Sequence, residues 1–249
     1  DTMPAVIIGE ALSSVIPLGI LISGTAKAIA VRRKVPIVVG LSSVATENLF
    51  YSLVTAIFIC VGAVTFLQQS QIDPMLVYLM NFFVGLIILA TIIVALMVIR
   101  QWHWASLFFS RVYDLGFFRN ILENGRGQIR LFEDLIYGFY RKYPGRFIPL
   151  CLLQVLFHLL GILEVWFIVT RLSDVIPTFS TAFFLESMNR LITVVFKLVP
   201  FLVGVDEAGA ELIFETLASV VGIGVTLAII RKGRTIFWAA IGLILIIKR

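Results

Sequence analysis

ESMNRLITVVFKLVPFLVGVDEAGAELIFE, residues 186–215, sets Glu186, Arg190, Lys197, Asp206, Glu207, Glu211 and Glu215 inside a strongly apolar part of the chain. Ionisable groups at membrane depth cost a few kcal/mol each, so they face a cavity, a partner or a substrate rather than lipid. Pro200 and Gly204 interrupt what would otherwise be one helix. Broken helices near the bilayer midplane are a common place for transporters to hold their substrate.

The chain around this stretch is membrane-like throughout. It has 249 residues, of which 60% are hydrophobic and only 14% charged, with a mean hydropathy of +1.03. A soluble domain carries roughly 25% charged residues. The apolar runs are long and unbroken, whereas barrel strands alternate over about ten residues. The fold class expected is therefore an all-α polytopic membrane protein, a single transmembrane domain over 1–249 with about six to eight membrane helices. Two of its elements are expected to be re-entrant or broken.

The runs can be placed in order. Residues 4–30 are apolar but punctuated by Gly9, Pro17, Gly19 and Gly24, which suits a broken element near Pro17–Lys27. Arg32-Arg33-Lys34 follows and reads as cytoplasmic. Residues 36–67 and 75–99 are spans, the second with 25 uncharged residues, and 147–170 is another. Residues 101–146 differ in kind, with seven basic residues against four acids. Ile129, Phe132, Ile136 and Phe139 recur at helical spacing there, and Asn124-Gly125-Arg126-Gly127 reads as a turn. Two amphipathic helices on the cytoplasmic interface are expected. Their aromatic and aliphatic side chains share one face, which argues against nucleic acid as a partner.

Charge placement then decides the second half. Residues 207–230 read as a span and 235–247 as a last apolar run, with Arg231-Lys232-Gly233-Arg234 between them as a cytoplasmic loop. That loop falls on the inner side only if 179–205 turns back near Pro200, so a re-entrant element is expected near Pro200–Glu207. The two halves echo one another: Pro17 precedes Gly24 and Lys27, and Pro200 precedes Gly204 and Glu207. Paired broken helices of this kind suggest an inverted repeat.

Several side chains are candidates for binding. Glu207, Glu211 and Glu215 stand at i, i+4 and i+8 and so share a helix face. Like charges at that spacing repel, so at least one is expected to hold its proton unless Lys27, Arg190 or Lys197 neutralises it. The alternative is a helix cap at Glu207 with structural ion pairs below it. Arg190 and Lys197 lie two turns apart and converge on one side, as an anionic headgroup requires; internal pairing with Glu186 is the competing arrangement. Lys27 is either a partner of Glu207 or an interface residue. Glu47 and Glu164 are single intramembrane acids expected to line a pore, and His158 an interior, hydrogen-bonded histidine. Two histidines and two apolar-run cysteines, Cys60 and Cys151, assemble no metal set. No nucleotide loop, zinc motif or nucleophile elbow is present. No enzyme activity and no cofactor are expected.

The segments HLLGILEVWFIV (158–169), FFLESMNRLI (183–192) and KLVPFLVGVDEAGAELI (197–213) together resemble the flippase-like transmembrane domain of bacterial lysylphosphatidylglycerol synthases and its stand-alone relatives, closest to the branch associated with hopanoid biosynthesis. The matching positions are Glu164 and Trp166, Glu186 and Arg190, then Pro200, Gly204 and Glu207. Asp206 is an extra acid relative to that pattern. The resemblance implies a multi-pass protein of the bacterial inner membrane that moves an amphiphilic lipid, anionic-headed or hopanoid-type, between leaflets. Its implied partners are membrane lipids and possible lipid-biosynthesis enzymes. Two other functions fit the same residues: a proton-coupled small-solute transporter driven by the glutamate stripe, and a membrane scaffold that recruits enzymes through 101–146.

Overall fold

A computed structural model describes residues 2–15, 19–69, 73–103, 106–108, 111, 119–172, 177–196, 202–218 and 222–247. Among them every element is helical. In chain order they are α1 (Thr2–Val15), α2 (Gly19–Ala30), α3 (Ile37–Gln69), α4 (Pro74–Ile99), α5 (Arg119–Lys142), a single 3-10 turn (Pro144–Arg146), α6 (Phe147–Leu172), α7 (Phe179–Val195), α8 (Val205–Ala218) and α9 (Ile223–Ile247).

Helix length sorts them. Crossing a hydrocarbon core of about 30 Å takes about 20 residues, and α3, α4 and α6 are long and apolar enough to do so. Helix α9 has the length, with 25 residues, but carries three bases. Helices α1, α2, α7 and α8 have only 12 to 17 residues and pack as two consecutive pairs. Both halves thus contain a short helix pair followed by a long helix, α1–α2 before α3 and α7–α8 before α9. The packing crosses over: α1 lies on α9, and α7 lies on α3.

Missing side chains set these close approaches, as in membrane bundles generally. A Cβ on Gly62 of α3 would lie 2.3 Å from that of Ser187 on α7, and one on Gly242 of α9 would lie 2.3 Å from that of Ala11 on α1. The core fills the space where α3, α6, α7, α8 and α9 meet, around Ile59, Val165, Leu185 and Leu227. Helix α4 lies at its edge against α3, entering the core only through Val84, its one buried residue, with Met80, Phe83 and Ile87 packed against it and a wide exposed surface of Phe82, Leu86 and Leu89. In a membrane that surface meets lipid. Asp73 caps this helix, accepting from the Met75 amide at 2.7 Å.

Four expectations from the sequence change. Gly24 is no break: it lies within α2, where a Cβ would meet Val44 of α3 at an ordinary contact distance of 3.5 Å. Helix α1 is described to Val15 and α2 from Gly19, and Pro17 lies outside the described residues. Residues 124–127 form no turn, because α5 runs through them as one helix. Its later part docks on α3 through Phe50, whose ring stacks on Tyr140 at 5.7 Å and meets Phe147 edge-on at 5.2 Å. Residues 207–230 are not one span, since α8 stops at Ala218 and Gly222 turns the chain at φ 93°. Finally, 231–234 is no loop. It lies inside α9, whose backbone continues through it, so the charge count that assigned it to the cytoplasm loses its basis.

Candidate functional site

The short pair α7–α8 and the long α9 bring the charged residues together. Helix α7 supplies Glu186, Asn189 and Arg190. The spacing of four puts Arg190 over Glu186, with Nε at 2.7 Å and Nη2 at 2.6 Å from Oε1. Arg231 of α9 donates to the other oxygen, Oε2, at 2.7 Å. Glu186 is fully buried, so both of its oxygens are met by guanidinium groups, as a buried carboxylate needs. Room for it comes from Gly161 of α6, where a Cβ would sit 2.6 Å from Oε1. The Arg190 guanidinium also lies over the Phe157 ring, 5.1 Å from its centroid. Asn189 ties the cluster to α8: with its side-chain amide turned to match its neighbours, Oδ1 accepts from Arg231 Nη1 at 3.0 Å and Nδ2 donates to Asp206 Oδ1 at 2.5 Å.

Helix α8 begins at a strained corner. Leu202 and Gly204 both have positive φ, 50° and 81°, and glycine takes that region without the Cβ penalty. The Gly204 amide donates to Glu207 Oε2 at 2.8 Å, the reach-back half of a capping box. Oε1 of the same carboxylate accepts from Lys232 of α9. One turn on, Glu211 accepts from the Gly222 amide and, at 3.0 Å, from the Val225 amide. It satisfies orphan donors at the start of α9, where an acid also meets the positive end of the helix dipole.

The glutamate stripe therefore divides. Glu207 and Glu211 face α9, whereas Glu215 is exposed. Among the described residues the cation that meets the stripe is Lys232, not Lys27 or Arg190. Lys27 instead pairs with Glu10 at 3.0 Å, in space left by Gly9. Arg190 is held by Glu186, so the competing arrangement at that residue is the one found. Glu164 pairs with Arg234. Glu47 is exposed on α3 and joins no ion pair among the described residues. Lys197 and Pro200 lie outside those residues. His158 is interior as expected: Nε2 shares a 3.0 Å hydrogen bond with Thr55 Oγ1, and the ring stacks on Phe58 at 4.6 Å. No group of histidines, cysteines and acids suited to a metal occurs among the described residues.

Arg231, Lys232, Arg234 and Asn189 are the site residues that sequence reasoning missed. A signal for the first three was present. The run between Arg234 and Lys248 has only 13 residues, too few to cross a bilayer, so the bases had to lie within a longer element. In sum, α9 presents three consecutive cations of the segment to three different helices: Arg231 to α7, Lys232 to α8 and Arg234 to α6.

Beside this network runs a groove of about 490 Å³ between α4 and the α7–α8 pair. Its walls are almost wholly apolar, with Met80, Met188 and Leu212 among them, and one end is formed by Gly204 and Val205. Asp206 and Glu207 are the next two residues. Leu79, Phe196 and Leu212 line the groove and are also exposed, so it opens on the outer surface of the bundle. An apolar slot thus ends at an ion-paired polar cluster.

No curated protein sequence and no solved structure matches the chain. Residues 1–244 match the family model described as the lysylphosphatidylglycerol synthase TM region. With almost the whole chain matched and an all-helical, lipid-exposed bundle to go with it, this membrane protein belongs to the lysylphosphatidylglycerol synthase TM region family.

Proposed function

We propose that this protein moves an amphiphilic lipid between the leaflets of a bacterial inner membrane, and that it does so without covalent chemistry. The observation that carries this reading is the groove that ends at Gly204–Val205, one residue from the ionic network. A lipid has the same two-part chemistry, an apolar tail joined to a polar head. In the network Glu186, Asp206 and Glu207 balance Arg190, Arg231 and Lys232. A charged headgroup can enter such a network by exchanging partners, so that neither its charge nor the protein's is left bare in a low-dielectric interior. The strained corner at Leu202–Gly204 is where the α7–α8 pair can give as that exchange occurs.

The test is leaflet-resolved translocation of labelled phospholipids in proteoliposomes, run beside uptake of water-soluble amino acids, sugars and phosphate. Translocation well above protein-free vesicles, with no solute uptake, is the expected result. Solute uptake without lipid movement would move the assignment to the small-solute transporter.

A further inference from the structure

The ionic network is even in charge but uneven in contacts. Glu186, Asp206 and Glu207 face Arg190, Arg231 and Lys232. Two of these acids take all three cations: Glu186 holds Arg190 and Arg231, and Glu207 holds Lys232. Asp206 joins no salt bridge among the described residues. Its direct partner is the Asn189 amide, which Arg231 orients. Arg231 and Lys232 attract it from farther off, while Glu207 and Glu186 repel it.

Protonation therefore disturbs the three acids differently. On Glu186 it strands two buried guanidinium groups. On Glu207 it releases Lys232 and weakens the bond from the Gly204 amide. On Asp206 it breaks no ion pair, and the contact with Asn189 survives because a carboxylic acid keeps an acceptor oxygen. Asp206 is half-buried in the first turn of α8, beside the exposed Val203 and Gly204. A helix start favours its charge, and burial beside two other carboxylates opposes it. Such a balance suits a group that must both load and release a proton.

We infer that Asp206 is a proton-binding site that couples lipid movement to a proton gradient, one proton travelling with one lipid whose headgroup carries a single negative charge. The inference rests on the lipid-moving reading and deepens it to an energy source and a headgroup class. The physical reason is neutrality. With Asp206 protonated, three cations face two carboxylates and the network holds one excess positive charge. An unpaired charge is costly in a low-dielectric interior, so this state recruits an anion. With an anionic headgroup bound and Asp206 ionised the excess is negative, and that state recruits a proton. Each ligand thus raises the affinity for the other by the same factor. The proton passes from water on one side to the Asp206 carboxylate and returns to water on the other as the headgroup leaves. No covalent bond of the lipid changes.

The experiment places the full chain in proteoliposomes with tracer amounts of labelled phosphatidylglycerol, a monoanion, or labelled phosphatidylcholine, a zwitterion. A difference of one pH unit is imposed across the membrane, with protein-free vesicles as the reference. The anionic lipid is expected to reach about a tenfold excess in the leaflet facing the alkaline side, the ratio that one-to-one coupling gives. Phosphatidylcholine is expected to even out between leaflets. An imposed potassium diffusion potential should change neither result, because lipid and proton together carry no net charge. Infrared difference spectra from neutral to mildly acidic pH then locate the proton: one titrating carboxyl band is expected in the wild-type chain and in Glu207→Gln, and its loss in Asp206→Asn. Anionic-lipid movement that ignores the pH difference would overturn the coupling and leave the lipid mover standing. Equal accumulation of both lipids would overturn the charge matching, and a band that persists in Asp206→Asn would overturn the assignment to that residue. No movement of either lipid at any pH would remove the mover and this coupling with it.

Discussion

Glu186 is the residue on which the polar cluster depends. It is fully buried between two arginines from different helices, so removing its charge strands two guanidinium groups in an interior that cannot solvate them. Glu186→Gln should lower stability by about 3–5 kcal/mol, the usual cost of breaking a buried pair from one side. In a double-mutant cycle with Arg231→Met the two losses should fail to add, with a coupling of about 0.5–3 kcal/mol. Denaturant unfolding in detergent micelles would measure it; strict additivity would mean that the two side chains do not touch. Gly161 tests the same pocket from its wall. Gly161→Ala puts a methyl group against the carboxylate, and overpacking of that kind costs about 1–3 kcal/mol.

At the scale of elements, the turn between α8 and α9 is built by two residues far apart in sequence. Gly222 adopts φ 93°, and Gly222→Ala should cost about 1–2 kcal/mol for the left-handed backbone alone. Glu211→Gln weakens the cap on the first turn of α9, a loss of about 0.5–2 kcal/mol. Both should speed amide hydrogen exchange at residues 223–226 while leaving α3 and α6 protected; uniform exchange across the bundle would contradict a local role. Docking of α5 has a similar handle in the buried ring of Phe50. Phe50→Ala should cost about 3–5 kcal/mol and expose α5 to protease before the bundle unfolds. These elements were not equally legible in the sequence. Helices α3, α4 and α6 are uniform apolar runs of spanning length, and hydropathy alone finds them. The Glu186–Arg190 pair follows from helical spacing. Helix α9 was misread because Arg231, Lys232 and Arg234 look like a loop to any rule that equates clustered bases with the membrane edge. Their neutralisation comes from Glu186, Glu207 and Glu164, between 25 and 70 residues away, and nothing local announces it. Glu211 capping Gly222 is hidden for the same reason.

The whole molecule joins two short helix pairs through long helices, and both α3 and α9 touch each pair: α3 meets α2 and α7, and α9 meets α1 along the part that holds Gly242 and α8 and α7 along the part that holds Arg231 and Lys232. A rearrangement at the ionic network is thereby connected to the other half of the bundle through α9, which carries Arg231 and Lys232, and through α3. In the proposed lipid mover, the polar cluster would take the head, the groove that ends on it the tail, and this linkage would couple the halves. The most direct test reverses the Glu207–Lys232 pair and reads leaflet-resolved phospholipid movement in proteoliposomes. Glu207→Lys alone and Lys232→Glu alone should each lose most of the rate, because each sets like charges together, and the double exchange should recover a substantial part of it. Wild-type rates in both single variants would contradict a headgroup site at this network.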